Sequence, residues 1–383
     1  MKSFIYHQPT RLFFGRGQIK HLGKEAAKYG EKALLVYGGG SIKKNMIFDA
    51  VVRELEKYGI EYKELGEVSP NPVLQRVKEG IRLAREQKSD LVLAVGGGSV
   101  LDTAKAIAAG VFATGDVWSM FTGQEPITRA LPIGTVLTIA ATGSEANAHA
   151  VITYETEAKK CAIHSEMIIP RFSIMDPEYT FTVSPRQTAA GVADIMAHLF
   201  EQYFSPDPDA VVTDYLTEAL LKICVEMGPQ AHKEGENMKA RANLMWASTL
   251  ALNGLMSLGK RTDWALHKLS HELSARYDMI HGETFSILYP AWMRYVADAD
   301  ALNRFAHLGK VLFGEKANSS SAFIEHLETF YQSLGLPLHL SERGIGPDRF
   351  EEMASNIIDL YGLIGIFKRL DYHDIVRIFQ MAL

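Results

Sequence analysis

Several kinds of chemistry are missing from this chain before any motif is sought. Two cysteines in 383 residues, Cys161 and Cys224, form no C-x-x-C pair, so neither a disulfide framework nor a thiolate metal site is indicated, and a reducing cytosol is the expected home. No apolar run reaches the ~18 residues of a membrane-spanning helix. The N-terminal stretch MKSFIYHQPTRLFFG lacks the apolar core of a signal peptide and alternates instead, which predicts a β-hairpin over residues 4–14. An exposed edge of that kind could pair with its copy in a homodimer. The net charge of -5 is spread without blocks, and with no basic patch neither nucleic acid nor an anionic membrane is an expected partner. Internal repeats and low-complexity segments are also absent.

What is present is an ordinary globular composition, 47% apolar, in a chain long enough for two cores. From residue 31 to about 175, apolar runs alternate with helical patterns. KALLVY (32–37), IEYKEL (60–65), DLVLAV (90–95) and RFSIMD (171–176) read as buried strands, with helices over 45–59 and 72–87 between the first three. Strands separated by single helices predict βαβ units and a parallel sheet covered on both faces. Beyond FTVSPRQTAAG (181–191) strand-like runs cease and helical periodicity continues to the end. The expected organisation is an α/β domain, 1–180, followed by an all-helical domain, 181–383.

Two glycine clusters stand at strand ends in the first half. In DLVLAVGGGSVLDTAKAIA, Gly96, Gly97 and Gly98 follow a strand and Ser99 opens a helix. Such a turn lets the backbone approach a ligand closely and aims the helix N-terminus at an anion. The spacing matches neither G-x-G-x-x-G nor a P-loop. The second cluster, Gly38, Gly39 and Gly40, is followed by Ser41, Lys43 and Lys44. NAD sites commonly place a carboxylate there for the ribose 2′-hydroxyl. With no carboxylate and two cations, NADP(H) is expected over NAD(H). In TIAATGSEANAHAVIT (138–153), Thr138, Thr142 and Ser144 can bond a ribose or phosphate, or simply satisfy a tight loop.

The second half carries metal-type residues. Asp194 and His198 lie at i and i+4 on one helix face; His267 and His271 repeat that spacing, and His281 follows before Gly282. One carboxylate and up to four imidazoles, without thiolates, suit Zn²⁺ or Fe²⁺ better than Ca²⁺ or Mg²⁺.

GGGSVLDTAK (96–105), ATGSE (141–145), G-x-x-D-x-x-x-H (191–198), H-x-x-x-H…HG (267–282), QPTRLFFGRG (8–17) and PNP (70–72) together resemble the iron-containing (group III) alcohol dehydrogenase family, in its butanol dehydrogenase branch. The resemblance implies a dehydroquinate synthase-like fold and hydride transfer between NADP(H) and small to medium aliphatic alcohols and aldehydes. It implies a divalent metal, Fe²⁺ or Zn²⁺, on Asp194, His198, His267 and His281, with His271 beside the nicotinamide as proton relay. Gly97, Gly98 and Ser99 would cradle the pyrophosphate, with Asp102 in the following turn. Thr138, Thr142 and Asn147 would line the cofactor site, Lys160 would reach the nicotinamide ribose, and Gly39, Gly40, Ser41 and Asn71 would surround the adenosine ribose. Relatives preferring NAD carry an aspartate near the position of Gly39. Met196, Trp264 and Phe285 are candidates for apolar walls, although core packing explains each equally well. The rival reading is a dehydroquinate synthase-like lyase using NAD and a metal, which needs a Lys/Arg cluster that the histidine-bearing segments lack.

Overall fold

The structure, a computed structural model, describes residues 1–383. Its contacts divide the chain into two compact units. One comprises His7–Val183 with Gly235–Asn253; the other comprises Met1–Tyr6, Ser184–Glu234 and Gly254–Leu383.

The first unit contains β1 (Arg11–Phe14), β2 (Lys32–Gly38), β3 (Glu61–Val68), β4 (Leu91–Gly96), β5 (Ile133–Leu137), β6 (His149–Tyr154), β7 (Lys159–His164) and β8 (Phe172–Met175). Six of these form a sheet in the order β1-β8-β5-β4-β2-β3, with every pair parallel. Its helices are α1 (Leu22–Ala26), α2 (Ser41–Lys44), α3 (Ile47–Lys57), α4 (Leu74–Gln87), α5 (Gly98–Gly110) and α6 (Trp118–Phe121). The central strands are buried on both faces because their side chains alternate between two cores. Leu34, Val36, Val92 and Ala94 pack with Val77, Ile81, Ala104 and Ile107 from α4 and α5. Ala33, Leu35, Leu91 and Leu93 pack with Val51 and Leu55 of α3. That double coverage is why these strands read as continuous apolar runs.

The four expected strands all form, but β3 lies at the sheet edge and is largely exposed rather than buried. Three others were not anticipated: β5, whose IGTVL is short and follows a proline, and the antiparallel pair β6–β7, whose apolar residues are interrupted by His, Thr and Lys. The expected hairpin over 4–14 does not form. Residues 1–10 contain no strand, and β1 instead pairs parallel with β8, Arg11 opposite Phe172. The apolar residues of that stretch ahead of β1, Phe4, Ile5 and Tyr6, are exposed. With no second strand in register, alternation alone does not make a ladder.

The second unit is helical. It contains α7 (Pro185–Tyr203) and α8 (Val211–Lys233). The next helix, α9 (Met238–Leu252), returns to the first unit, where Thr249 donates to the buried Glu145 at 2.6 Å. Then follow α10 (Ala265–Tyr277), α11 (His281–Val296), α12 (Arg304–Phe313), α13 (Ser320–Ser333), α14 (Phe350–Tyr361) and α15 (Tyr372–Met381). Helix α7 is the hub of this unit. It starts on a Ser184 cap with Pro185 in its first turn, and every residue from Thr188 to Tyr203 is buried. No helix is long and apolar enough to cross a membrane.

Candidate active site

Burial of α7 on all sides makes its polar residues conspicuous, since a buried carboxylate or imidazole must find a partner. Asp194 and His198 point the same way, one turn apart. Helix α10 brings His267 to them and the first residue of α11 is His281. The Oδ1 atom of Asp194 lies 3.9 Å from His198 Nε2 and 3.9 Å from His281 Nε2. Donor atoms of Asp194, His267 and His281 all lie within 4.8 Å of one another, and the His198 and His267 ring centres are 4.9 Å apart. The structure thus brings together all four residues expected as ligands. His271 is adjacent rather than within the group, its ring stacked on His281 at 5.6 Å.

Two of the imidazoles are held by their far nitrogens. His267 Nδ1 lies 2.8 Å from Glu201 Oε1, and His281 Nδ1 lies 2.7 Å from Ser270 Oγ. With Nδ1 engaged, Nε2 is the nitrogen each ring presents to an ion, the arrangement found around bound metals. Burial, reinforced by neighbouring His267, holds His198 well below the ordinary imidazole pKa, so it is neutral, as a ligand must be. Two donors each ~2.1 Å from one ion at a tetrahedral angle stand about 3.4 Å apart, so the observed 3.9 Å asks for only a slight contraction. The donor set and its spacing fit a divalent ion of the Fe²⁺ or Zn²⁺ type.

Apolar rings border this group. Phe285 lies 4.6 Å from the His267 ring and 4.7 Å from that of His281, and Trp264 lies 4.9 Å from His267. Met196 and Phe285 are both completely buried, so of the three candidates for apolar walls only the half-buried Trp264 keeps an exposed surface. Sequence reasoning missed Glu201 and Ser270. Glu201 had a signal: it lies three residues beyond His198, so Asp194, His198 and Glu201 share one helix face.

In the other unit, β4 ends in the glycine turn and α5 begins at Gly98, one residue before the expected Ser99. No side chain caps it. A methyl group at Gly98 would meet the Thr142 side chain at 2.5 Å, so that position requires glycine unless Thr142 shifts, whereas one at Gly97 would meet Ile139 only tightly, at 3.1 Å. Gly39 and Gly40 open onto space, with Gly40 in the left-handed region at φ +88. The Ser99 hydroxyl donates to the Pro70 carbonyl, joining the PNP loop to the turn. Asp102 accepts from Ser144 Oγ at 2.7 Å and from the Val151 amide at 3.0 Å. Burial raises its pKa against the pull of Lys105. Thr138 donates its amide to Gly96, and Lys160 reaches Asn71 Oδ1 at 3.0 Å, bringing those two expected cofactor residues together.

Asn147 is engaged internally. Its Oδ1 and backbone carbonyl accept from the wholly buried Lys105 at 2.8 and 2.9 Å, and the His149 carbonyl supplies a third acceptor at 2.8 Å. Burial depresses Lys105 to about 8 despite the opposing pull of Asp102 and Glu145. Nor are the two lysines after the second glycine cluster equivalent. Lys43 pairs with Glu64 at 3.1 Å and lies over the Tyr37 and Phe48 rings, while Tyr37 donates to the same carboxylate. Lys44 is the exposed cation that remains.

The chain matches the iron-containing alcohol dehydrogenase model over residues 9–177 and the C-terminal Fe-containing alcohol dehydrogenase model over 188–383. It is 45% identical to NADH-dependent butanol dehydrogenase A of Clostridium acetobutylicum, covering 100% of both chains. It is 41% identical to the NADPH-dependent aldehyde reductase YqhD of Escherichia coli, covering 90% of each. Among solved structures, NADH-dependent butanol dehydrogenase A of Thermotoga maritima superposes with a TM-score of 0.96 at 38% identity, over 100% of this chain and 99% of the other. With both halves matched and relatives of this identity aligned end to end, the chain belongs to the iron-containing alcohol dehydrogenase family of oxidoreductases.

Proposed function

We propose that this chain reduces small to medium aliphatic aldehydes, and oxidises the corresponding alcohols, with butanal and butanol as representative substrates. The observation that carries this reading is the convergence of Asp194, His198, His267 and His281. These four would hold one divalent ion, Fe²⁺ or Zn²⁺. When bound, the ion supplies a Lewis acid for the substrate oxygen and the nicotinamide supplies or accepts the hydride. The remaining work falls to the chain. Trp264, half-buried and 4.9 Å from the His267 ring, offers an aliphatic chain an apolar boundary beside the imidazoles. His271, stacked on His281, would exchange a proton with the substrate oxygen, a task suited to imidazole near neutral pH.

On the nucleotide side, the Gly97–Gly98–Ser99 turn would approach the pyrophosphate. Asp102 braces that turn through Ser144 and Val151. Thr138 and Thr142 would border the dinucleotide, with Asn147 acting through Lys105. Lys160 and Asn71 would reach the riboses, and Gly39, Gly40 and Ser41 the adenosine end. NADP(H) is the proposed cofactor, supported by the absence of an acid in the Gly39–Ser41 loop and by Lys44. Because Lys43 is diverted to Glu64, the preference over NAD(H) is shallow, within about tenfold for one exposed cation. A cytosolic homodimer completes the proposal, resting on the family alone, since residues 1–10 form no strand to offer an edge. A dehydroquinate synthase-like lyase is not favoured, since the relatives above are butanol dehydrogenases and an aldehyde reductase. Following NADPH and NADH oxidation by the purified protein with butanal is the test. Turnover with both, faster with NADPH, is expected; no turnover by metal-loaded protein with any aliphatic aldehyde overturns the reading.

A further inference from the structure

The His267 imidazole is held from behind by a carboxylate that no motif singled out. Glu201 sits on the same face of α7 as Asp194 and His198, and its side chain is 3% exposed. One oxygen, Oε1, accepts both the backbone N–H of His267 at 2.9 Å and its Nδ1 at 2.8 Å. The backbone carbonyl of Glu201 accepts from the Asp263 amide at 2.9 Å. Helix α7 therefore grips the start of α10 at three points, fixing where His267 sits and how its ring is turned. Because Oε1 already accepts the His267 backbone N–H, it meets the ring as an acceptor too, so Nδ1 carries the hydrogen and Nε2 the lone pair. His281 has a weaker support: its Nδ1 meets the uncharged Ser270 hydroxyl, which also contacts Thr284 Oγ1 at 2.5 Å. A carboxylate behind an imidazole makes the far nitrogen a better donor than a hydroxyl does.

We propose that Glu201 is a positioning residue that sets the tautomer and orientation of His267 and strengthens its Nε2 as a donor to a divalent ion. The proposal rests on the reading of Asp194, His198, His267 and His281 as the ligand set. Its test uses the metal-stripped full chain, titrated with Co²⁺ against a competing chelator and followed by visible d–d absorption. Long-range ¹⁵N–¹H spectra of the histidine rings report the tautomer directly. In Glu201→Ala, Co²⁺ affinity is expected to fall about 10- to 100-fold, the d–d bands to shift, and His267 to lose its Nδ1–H preference. In Glu201→Gln, the amide oxygen still accepts both N–H groups, so the tautomer is kept while affinity falls by roughly 3- to 10-fold. A folded Glu201→Ala chain with wild-type affinity and spectrum overturns the proposal. If Glu201→Ala does not fold, unchanged affinity in Glu201→Gln overturns it. His267→Ala separates the two claims: should it bind Co²⁺ as tightly as wild type, the ligand reading itself fails.

Discussion

Gly282 lies so close to Ala190 that a methyl group on its α-carbon would stand 1.9 Å from the Ala190 carbonyl oxygen. The contact is backbone against backbone, so no side chain can move aside. Gly282 has no left-handed φ, which makes space rather than conformation the reason for glycine. It follows His281 directly, and Ala190 is one turn before Asp194 on α7. The close approach of α11 to α7 is therefore what brings an imidazole and a carboxylate to 3.9 Å. Gly282→Ala is expected to destabilise the fold by about 1–3 kcal/mol or more and to weaken divalent-metal binding. Urea unfolding and metal titration of the variant check this; wild-type values for both would show that the helices are not held apart by that methyl.

Lys105 should leave a signature in the pH dependence of stability. Its pKa lies at about 8, below the ordinary 10.5, because burial disfavours the ammonium. Between those values the unfolded chain holds the extra proton, so this group's contribution to stability improves as pH rises through that window. Below about 8 the full cost of burying the charge is present. Relative to Lys105→Met, wild type should gain up to about 3 kcal/mol between pH 8 and 10.5. A difference that stays flat or shrinks across that range would contradict the assignment.

For His271, the expected result is a split between catalysis and metal content. His271→Ala should lower kcat by roughly 100-fold or more, the usual worth of a positioned proton-transfer group, with metal stoichiometry unchanged. Loss of metal in parallel would make His271 a ligand instead.

Cofactor choice can be shifted from a distance. Glu64→Gln removes the carboxylate that engages Lys43, and should raise the NADPH:NADH ratio of kcat/KM about 2- to 5-fold, the worth of one partly exposed charge. Lys44→Ala should lower it by a similar factor. No change in either variant would detach the nucleotide preference from these charges.

How much of this could be read beforehand depended on whether the signal was local. The strand of DLVLAV and the Asp194–His198 spacing were legible because period and spacing are properties of adjacent residues. The same locality misled at the N-terminus, where the apolar Phe4, Ile5 and Tyr6 have no strand to pair with and stay exposed. Lys43 looked available because its partner, Glu64, lies on strand β3, 21 residues away. Lys105 reads as an ordinary helix lysine; only the fold reveals that it is buried among the carbonyls of residues 147 and 149. Glu201 was legible in principle, since it continues the face of Asp194 and His198, but its partner His267 is 66 residues on.

The central claim is that Asp194, His198, His267 and His281 form one metal site on which aldehyde reduction depends. The most direct measurement compares NADPH oxidation with butanal before chelation, after chelation, and after re-addition of Fe²⁺ or Zn²⁺, in wild type and in His267→Ala. Activity that disappears on chelation and returns with one of these ions in wild type, but not in His267→Ala, is the expected result. Unchanged turnover after verified removal of the metal, or full activity in His267→Ala, would contradict it.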